Sequence, residues 1–555
     1  MILILFSIQT SAQNINAKID IISVIGKVIS VEEQKFETNE NALQWSKAIL
    51  QTQWDNGFLL AKLIETSKDS NFVHWQINQG DAIYISKITL GFINKKWRGR
   101  LQRVFSTEDY AISEGNVSSQ LANALALFEN NGYPFAKVWL DSFSVKSGAI
   151  TAKLKFDLGP YFEFETIEID PLIKVNPVFL MRYLNLNKGT PFNYKKIDEI
   201  TNAISSLPYL KMRDVPYVSF SDEGKVRVVL DLDNVQVSSF DGIVGVAPNS
   251  TPENKTLFTG QFDFRLRNPF ARGTSFDMVF EKFQENSQKL ESGFQFPFML
   301  STPLGIDAKF NLLRVDTTYL NLNTKVGIDY YFTGNSKLSI YFNRFRAYPL
   351  SQIESNLLTY KNLTTTNYGL GYSISKLDYL PNPLKGISTL IDLRAGTKTE
   401  IIDQNQLNST IFAAHYKANV FLPIAPKATI QLKNVGQLTI DSTFNKGQVL
   451  WVGGLKSIRG FNEGELPVKN YLLQTIEVRY LTDKNSHAKL FYDIALLNQF
   501  TENQIESKWY QGFGLGFNFK TGPGIFTINY AVGKTPENSL SLTNGKVHFG
   551  FLSYF

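Results

Sequence analysis

Apolar residues before position 237 recur mostly at helical intervals, and after it at every second position. Leu43, Leu50 and Trp54 form one set, Val117, Leu121, Ala124, Leu125 and Phe128 a second, and Ile197, Ile200, Ile204 and Leu207 a third. Steps of three, four and seven put each set on one face of a helix. After each set the period falls to two: Phe72–Gln79 and Ile83–Ile88 around Gly80, Ile150–Leu158 and Tyr161–Ile167 around Gly159, then Lys225–Leu232. The pattern predicts three α+β copies of a strand–helix–helix–strand–strand unit of about 75 residues, the first degenerate at its N-terminal part. A short mark follows each helical stretch: Gly57-Phe58, then Gly132-Tyr133, then Tyr209. Asn131-Gly132 is a good helix stop, because both residues tolerate the left-handed conformation.

From 237 onward the helical spacing disappears. Segments of about 10 residues alternate between apolar and small or polar, broken by turn clusters such as Asn249-Ser250-Thr251-Pro252, Gly334-Asn335-Ser336 and Thr535-Pro536-Glu537-Asn538. Phe513, Leu515, Phe517 and Phe519 share one face of their segment, and Gly512, Gly514, Gly516 and Asn518 the other. Ile391, Leu393 and Ala395 alternate with Asp392 and Arg394, and Val547, Phe549, Phe551 and Phe555 with His548, Gly550 and Tyr554. Apolar outside and polar or small inside is the pattern of a transmembrane β-barrel. A count of about 16 segments suits an antiparallel barrel whose closure leaves no backbone edge facing lipid.

Composition sharpens this picture. Phe, Tyr and Trp make up 13% of the chain, with 43 Phe and 24 Tyr, a load that favours strands. The mean hydropathy of −0.13 and the lack of any apolar run of 18 residues argue against a spanning helix. The formal charge of +6 is spread along the chain with no basic run of more than a few residues, so the chain does not read as a nucleic-acid binder. With no Cys and four scattered His, no metal-ligand set is predicted, and no cofactor. No GxSxG, HExxH or phosphate-binding glycine loop appears, which argues against an enzyme. The apolar run Ile2–Ile8 followed by Thr10-Ser11-Ala12 resembles a secretory signal ending near residue 12, without its usual basic start.

The sharpest local signal is Val452-Gly453-Gly454-Leu455-Lys456-Ser457-Ile458-Arg459-Gly460-Phe461, in an outward connection late in the barrel. Glycines let such a segment turn tightly and approach a wall closely. Arg presents a planar fork of donors suited to a carboxylate. Candidate wall residues are Glu477 and Arg479, two apart on the next strand, and Asp493 in Phe491-Tyr492-Asp493-Ile494-Ala495 on the strand after.

The loop segment, with Gly453, Gly454, Ile458, Arg459, Gly460 and Phe461, resembles the Arg-Gly-Phe/Tyr loop of the BamA/TamA-type outer-membrane assembly superfamily. The unit order and the Gly-aromatic mark of the N-terminal repeats resemble POTRA domains. The resemblance implies a signal peptide at 1–12, POTRA-like units at 13–86, 87–160 and 161–236, and an outer-membrane barrel at 237–555. It implies that the loop folds into the lumen, with Arg459 paired to Asp493 and Glu477 as a second acceptor. Ala495 stands where the family's wall motif has Gly, and Ser553 where its C-terminal strand signal usually has an apolar residue. Three repeats rather than five point toward a TamA-like role.

Further expectations follow from the resemblance. The protein would lie in the outer membrane of a Gram-negative bacterium, with its repeats in the periplasm. Unfolded outer-membrane proteins would be its clients and outer-membrane lipid its surroundings, with a periplasm-spanning protein or a lipoprotein as a further partner. Client strands would be templated at a lateral seam where the first barrel strand, with Gly242 and Gly245, meets the last, with Gly550 and Phe555. The alternative is a two-partner secretion transporter that passes one exported protein through the lumen.

Overall fold

The computed structural model describes residues 15–553 apart from 24–25, 37, 57, 59, 70–71, 81–83, 91–93, 106–116, 147–148, 249–255, 285–286, 317, 351–360, 380–381, 403–404, 443, 445, 501–504, 522–523 and 537–544. Positions 1–12, Gly57 and Phe555 therefore lie outside the described residues.

The N-terminal region starts with β1 (Ile15–Ile22), β2 (Val28–Phe36), α1 (Asn39–Asp55), β3 (Lys62–Asp69) and β4 (Phe72–Asn78). Their sheet runs β2-β1-β4-β3, with β1 parallel to β4. Helix α1 starts at Thr38, whose hydroxyl accepts the Asn41 N–H at 3.2 Å, a side-chain cap for an otherwise orphaned donor. Its buried Ala42, Ile49 and Leu50 pack on Ile15, Ala17, Ile19 and Ile21 of β1 and on Val73, Trp75 and Ile77 of β4. Of the three apolar positions that suggested this helix, only Leu50 is buried. Leu43 and Trp54 sit at the rim, and the Trp54 indole donates to the Ala61 carbonyl at 3.0 Å. In this copy the first helix of the expected unit is replaced by strand β2, nearly all of whose residues are exposed.

The second copy comprises β5 (Tyr84–Leu90), α2 (Lys95–Phe105), α3 (Val117–Glu129), β6 (Lys137–Lys146) and β7 (Ala149–Asp157). Its sheet runs β5-β7-β6, with β5 parallel to β7. Trp97 meets Phe128 edge-on at 5.0 Å in a core shared with Leu101, Ala124 and Leu154. The expected boundary at 86–87 falls inside β5. Alternation marks 83–88 as a strand but is silent on its partner. The parallel pairing with β7, reached over two helices, makes it the opening strand of the second sheet rather than the close of the first.

The third copy contains β8 (Glu163–Glu168), α4 (Pro177–Tyr183), α5 (Tyr194–Asp198), α6 (Ile200–Ser205), β9 (Leu210–Met212), β10 (Tyr217–Phe220), β11 (Lys225–Val229) and β12 (Leu232–Asn234). Strands β10, β11 and β8 form one sheet in that order, and β9 pairs with β12. The segment 161–167, which opens the expected third unit at 161–236, supplies its first strand. Helix α4 has Asn176 as its cap and Pro177 in its first turn, where the missing N–H costs nothing.

The chain divides into two compact units. One holds the first two copies with the short segments 191–195 and 222–224, and the other holds the rest of the third copy with the C-terminal sheet. That sheet begins with β13 (Ser239–Pro248), β14 (Thr256–Arg267), β15 (Ser275–Gln284), β16 (Ser287–Phe296), β17 (Leu304–Val315) and β18 (Tyr319–Thr333). It continues through β19 (Ser336–Pro349), β20 (Asn362–Leu377), β21 (Gly386–Ile402), β22 (Asn405–Ala425) and β23 (Ala428–Ile440). It ends with the short β24 (Leu450–Val452), then β25 (Leu466–Asp483), β26 (Ser486–Phe500), β27 (Ile505–Lys520), β28 (Gly524–Lys534) and β29 (Lys546–Ser553). Each long strand pairs antiparallel with the next, and β23 pairs directly with β25, so β24 is an extra piece inside a long connection. The described pairings run from β13 at one end to β29 at the other.

Alternation along these strands separates two faces. On β18, Val326, Ile328, Tyr330 and Phe332 are exposed, whereas Gly327 and Asp329 are buried. Asp329 accepts from Lys337 at 2.6 Å and from Ser339 at 2.5 Å, so this inner face carries its own polar network. Outer residues are large and apolar, with Tyr368 69% and Phe549 73% exposed, as a lipid-facing band requires. Helix α4 of the third copy docks on the turns at one end of this sheet. Phe179 meets Phe298 edge-on at 5.8 Å, and the Tyr183 hydroxyl donates to Asn335 Oδ1 at 2.9 Å. Burial pushes the Tyr183 phenol pKa up, which keeps it a neutral donor.

Candidate functional site

The connection between β23 and β25 folds back onto the inner face of the sheet. It is knit together first by its own bonds. The Gly453 N–H donates to Ser457 Oγ at 2.7 Å, the Gly454 N–H to the Ile458 carbonyl at 3.0 Å, and the Leu455 N–H to Glu463 Oε1 at 2.6 Å. Ile458 and Phe461 are buried in an apolar cluster with Val468, Leu473, Ala495, Leu497 and Tyr510. Ala495, which departs from the family's glycine, packs its methyl in this cluster.

Arg459 carries the polar part of the contact. Its Nε donates to Asp493 Oδ2 at 2.8 Å and its Nη2 to Asp493 Oδ1 at 2.7 Å, a bidentate fork. Its Nη1 donates to Glu477 Oε1 at 2.6 Å, and its backbone N–H to Asp493 Oδ2 at 3.1 Å. The guanidinium lies 3.5 Å from the centroid of the Phe491 ring, so a cation–π contact adds to its ionic bonds. Thr475 donates to Asp493 at 2.8 Å, and Arg479 donates to the second oxygen of Glu477 at 2.8 Å. Arg459, Glu477 and Asp493 are all buried, where an unmatched charge would be costly.

Register explains why these residues meet. Thr475, Asp493, Gly512 and Gly533 lie in one row across β25, β26, β27 and β28. The carboxylate is held in mid-row, and the two glycines leave a trough beside it. A Cβ at Gly512 would lie 2.1 Å from the Arg459 carbonyl oxygen, and one at Gly533 2.6 Å from that of Gly460. Gly460 itself has φ +92° and comes within 2.4 Å, measured from an added Cβ, of the Gly533 nitrogen, so backbone packs on backbone here. The loop then reaches the last strand, where the Gly460 N–H donates to His548 Nε2 at 3.2 Å on β29. Leu455 sits over Gly550 of the same strand.

A second ionic cluster holds the root of the connection. Asp441, its side chain buried just after β23, pairs with Lys398 of β21 at 3.1 Å and with Lys469 of β25 at 2.9 Å. Lys398 also lies 3.5 Å from Glu400. Sequence reading did not single out this cluster. Its one signal was a lysine on the polar face of an alternating strand.

The remaining candidates are placed as follows. Gly242 and Gly245 lie on β13, paired in register with Phe262 and Thr259 of β14, and Gly550 pairs with Thr527 of β28. Gly132 has φ +101°, and its carbonyl accepts the Phe162 N–H at 2.8 Å. Tyr133 meets Tyr161 edge-on at 5.3 Å and Trp97 at 6.0 Å. Phe58 packs against the first core, and Tyr209 is buried after α6. Among the described residues no His, Cys, Asp and Glu group suited to a metal is found.

Residues 253–551, more than half of the chain, match the model of the Omp85 superfamily domain, and the chain belongs to that superfamily. It is an outer-membrane β-barrel protein of the BamA/TamA type. Among solved structures it is similar to CdiB from Escherichia coli, with a TM-score of 0.52 and 13% identity over 92% of this chain and 97% of that one. CdiB from Acinetobacter baumannii gives 0.50 and 15% over 84% and 89%. BamA from Haemophilus ducreyi lacking POTRA domains 1-3 gives 0.42 and 12% over 84% and 99%. At these identities the likeness is one of fold. No curated protein matches the chain.

Proposed function

We propose that this protein inserts other proteins into the outer membrane by templating their strands at a lateral seam between β13 and β29, with its N-terminal repeats in the periplasm receiving unfolded clients. The observation that carries this reading is the bond from Gly460 to His548, which ties the pinned loop to the last strand. Through it, β29 is braced by Arg459, Asp493 and Glu477. The other end strand, β13, contains Gly242 and Gly245, which weaken strand packing. A braced edge facing a pliable one suits a seam that opens from one side. An exposed edge there offers unpaired N–H and C=O groups to a client strand, which then never presents bare backbone to hydrocarbon. The step forms and breaks only hydrogen bonds, so no catalytic group or cofactor is involved. The sheet edges of the N-terminal repeats serve clients by the same strand addition before insertion.

The test is reconstitution of the full chain into liposomes and measurement of the folding rate of an unrelated outer-membrane barrel. Acceleration that is lost when a disulfide joins β13 to β29, and returns on reduction, supports the proposal. Unchanged acceleration with the disulfide formed overturns the seam. No acceleration, with export of a single cargo through the lumen instead, moves the assignment to a dedicated secretion transporter.

A further inference from the structure

Beneath the pinned loop lies a polar cavity of about 180 Å³, roofed by Leu455, Ser457 and Arg459 and walled by Lys433, Lys489 and Asn529 among others. That is well above the space one water needs. Its charges do not balance. Arg459 and Arg479 are matched by Asp493 and Glu477, but Lys433 and Lys489 bring two more cations to the same wall. Among the described residues neither ammonium lies within 4.0 Å of a carboxylate, and Lys489 is only 8% exposed. Asn529, fully buried on β28, has no hydrogen-bond partner among the described residues for either end of its amide. The Ser457 hydroxyl already accepts the Gly453 N–H and so has its own hydrogen free to donate. Two ammonium groups without a carboxylate beside them, an amide donor and a hydroxyl therefore line one buried space, and a buried ammonium keeps its charge best with a counter-charge next to it.

We infer that this cavity binds a small oxyanion of the size of phosphate, held by Lys433, Lys489, Asn529 and Ser457. The anion bridges the loop to the wall and completes the neutralisation that Asp493 and Glu477 begin. The inference is independent of which cargo the barrel handles.

The test uses the full chain in lipid-free detergent micelles, titrated with inorganic phosphate against chloride at constant ionic strength. The thermal unfolding midpoint and the ³¹P NMR line width are the readouts. The expected result is saturable binding with a rise in midpoint of several degrees. Affinity should fall tenfold or more in Lys433→Gln and in Lys489→Gln, and be unchanged in Lys309→Gln on β17. Having both lysine variants keeps the test open if one folds poorly. No saturable response, or the same response in both lysine variants as in the parent, means an adventitious ion only and overturns the site.

Discussion

Asp493 accepts three hydrogen bonds from Arg459, two from the guanidinium at 2.8 and 2.7 Å and one from the backbone N–H at 3.1 Å. One carboxylate thus fixes both the side chain and the main chain of the loop. Removing either partner breaks a buried ion pair, which costs about 3 to 5 kcal/mol. Arg459→Ala and Asp493→Asn are each expected to lower the unfolding midpoint, read as the temperature at which the barrel loses its heat-modifiable mobility on gels. Arg459→Lys should recover little, because an ammonium can neither grip both oxygens nor stack flat on Phe491.

The trough beneath the loop gives a second prediction, independent of charge. Gly512→Ala places a methyl 2.1 Å from the Arg459 carbonyl oxygen, and that neighbour is backbone rather than a flexible side chain. The loop should lift while the strands persist. A cysteine at Ser457 should then react with a bulky water-soluble thiol reagent at least tenfold faster than in the parent background. An unchanged rate would mean that the loop does not rest on Gly512.

At the loop's root, Asp441 faces Lys398, and both side chains are fully buried. Asp441→Ala should destabilise the protein by about 3 to 5 kcal/mol, because it removes the buried counter-charge of Lys398 and Lys469. The pair replacement Lys398→Met with Asp441→Leu should restore much of the loss, measured by denaturant unfolding in micelles. Equal losses in the single and double variants would show that packing, not charge, dominates there.

Much of this was legible in the sequence, for reasons that differ by region. The strand alternation at Ile391–Ala395 or Gly512–Phe519 reports directly which face meets lipid, because successive side chains point to opposite faces of a strand. Arg459 and its acids stood out through the resemblance of the Arg-Gly-Phe loop to its family, and an Arg beside a barrel wall suits a carboxylate partner. Strand 84–90 was placed with the wrong neighbours, since parallel pairing over two helices leaves no mark in local periodicity. Helix α1 was read one face off, because Trp54 sits at the rim with its indole bonded to Ala61. The Lys398–Asp441 pair was missed for a related reason. Its members are 43 residues apart, and each alone reads as an ordinary polar position.

The central claim is that clients pass at the seam and not through the lumen. The direct measurement is site-specific photocrosslinking in membranes during client assembly, with the probe placed in turn at position 244 on β13 and at position 431 on the inner wall. The account predicts adducts to a client strand from 244 and none from 431. Adducts from 431 alone, with a silent β13, would contradict it.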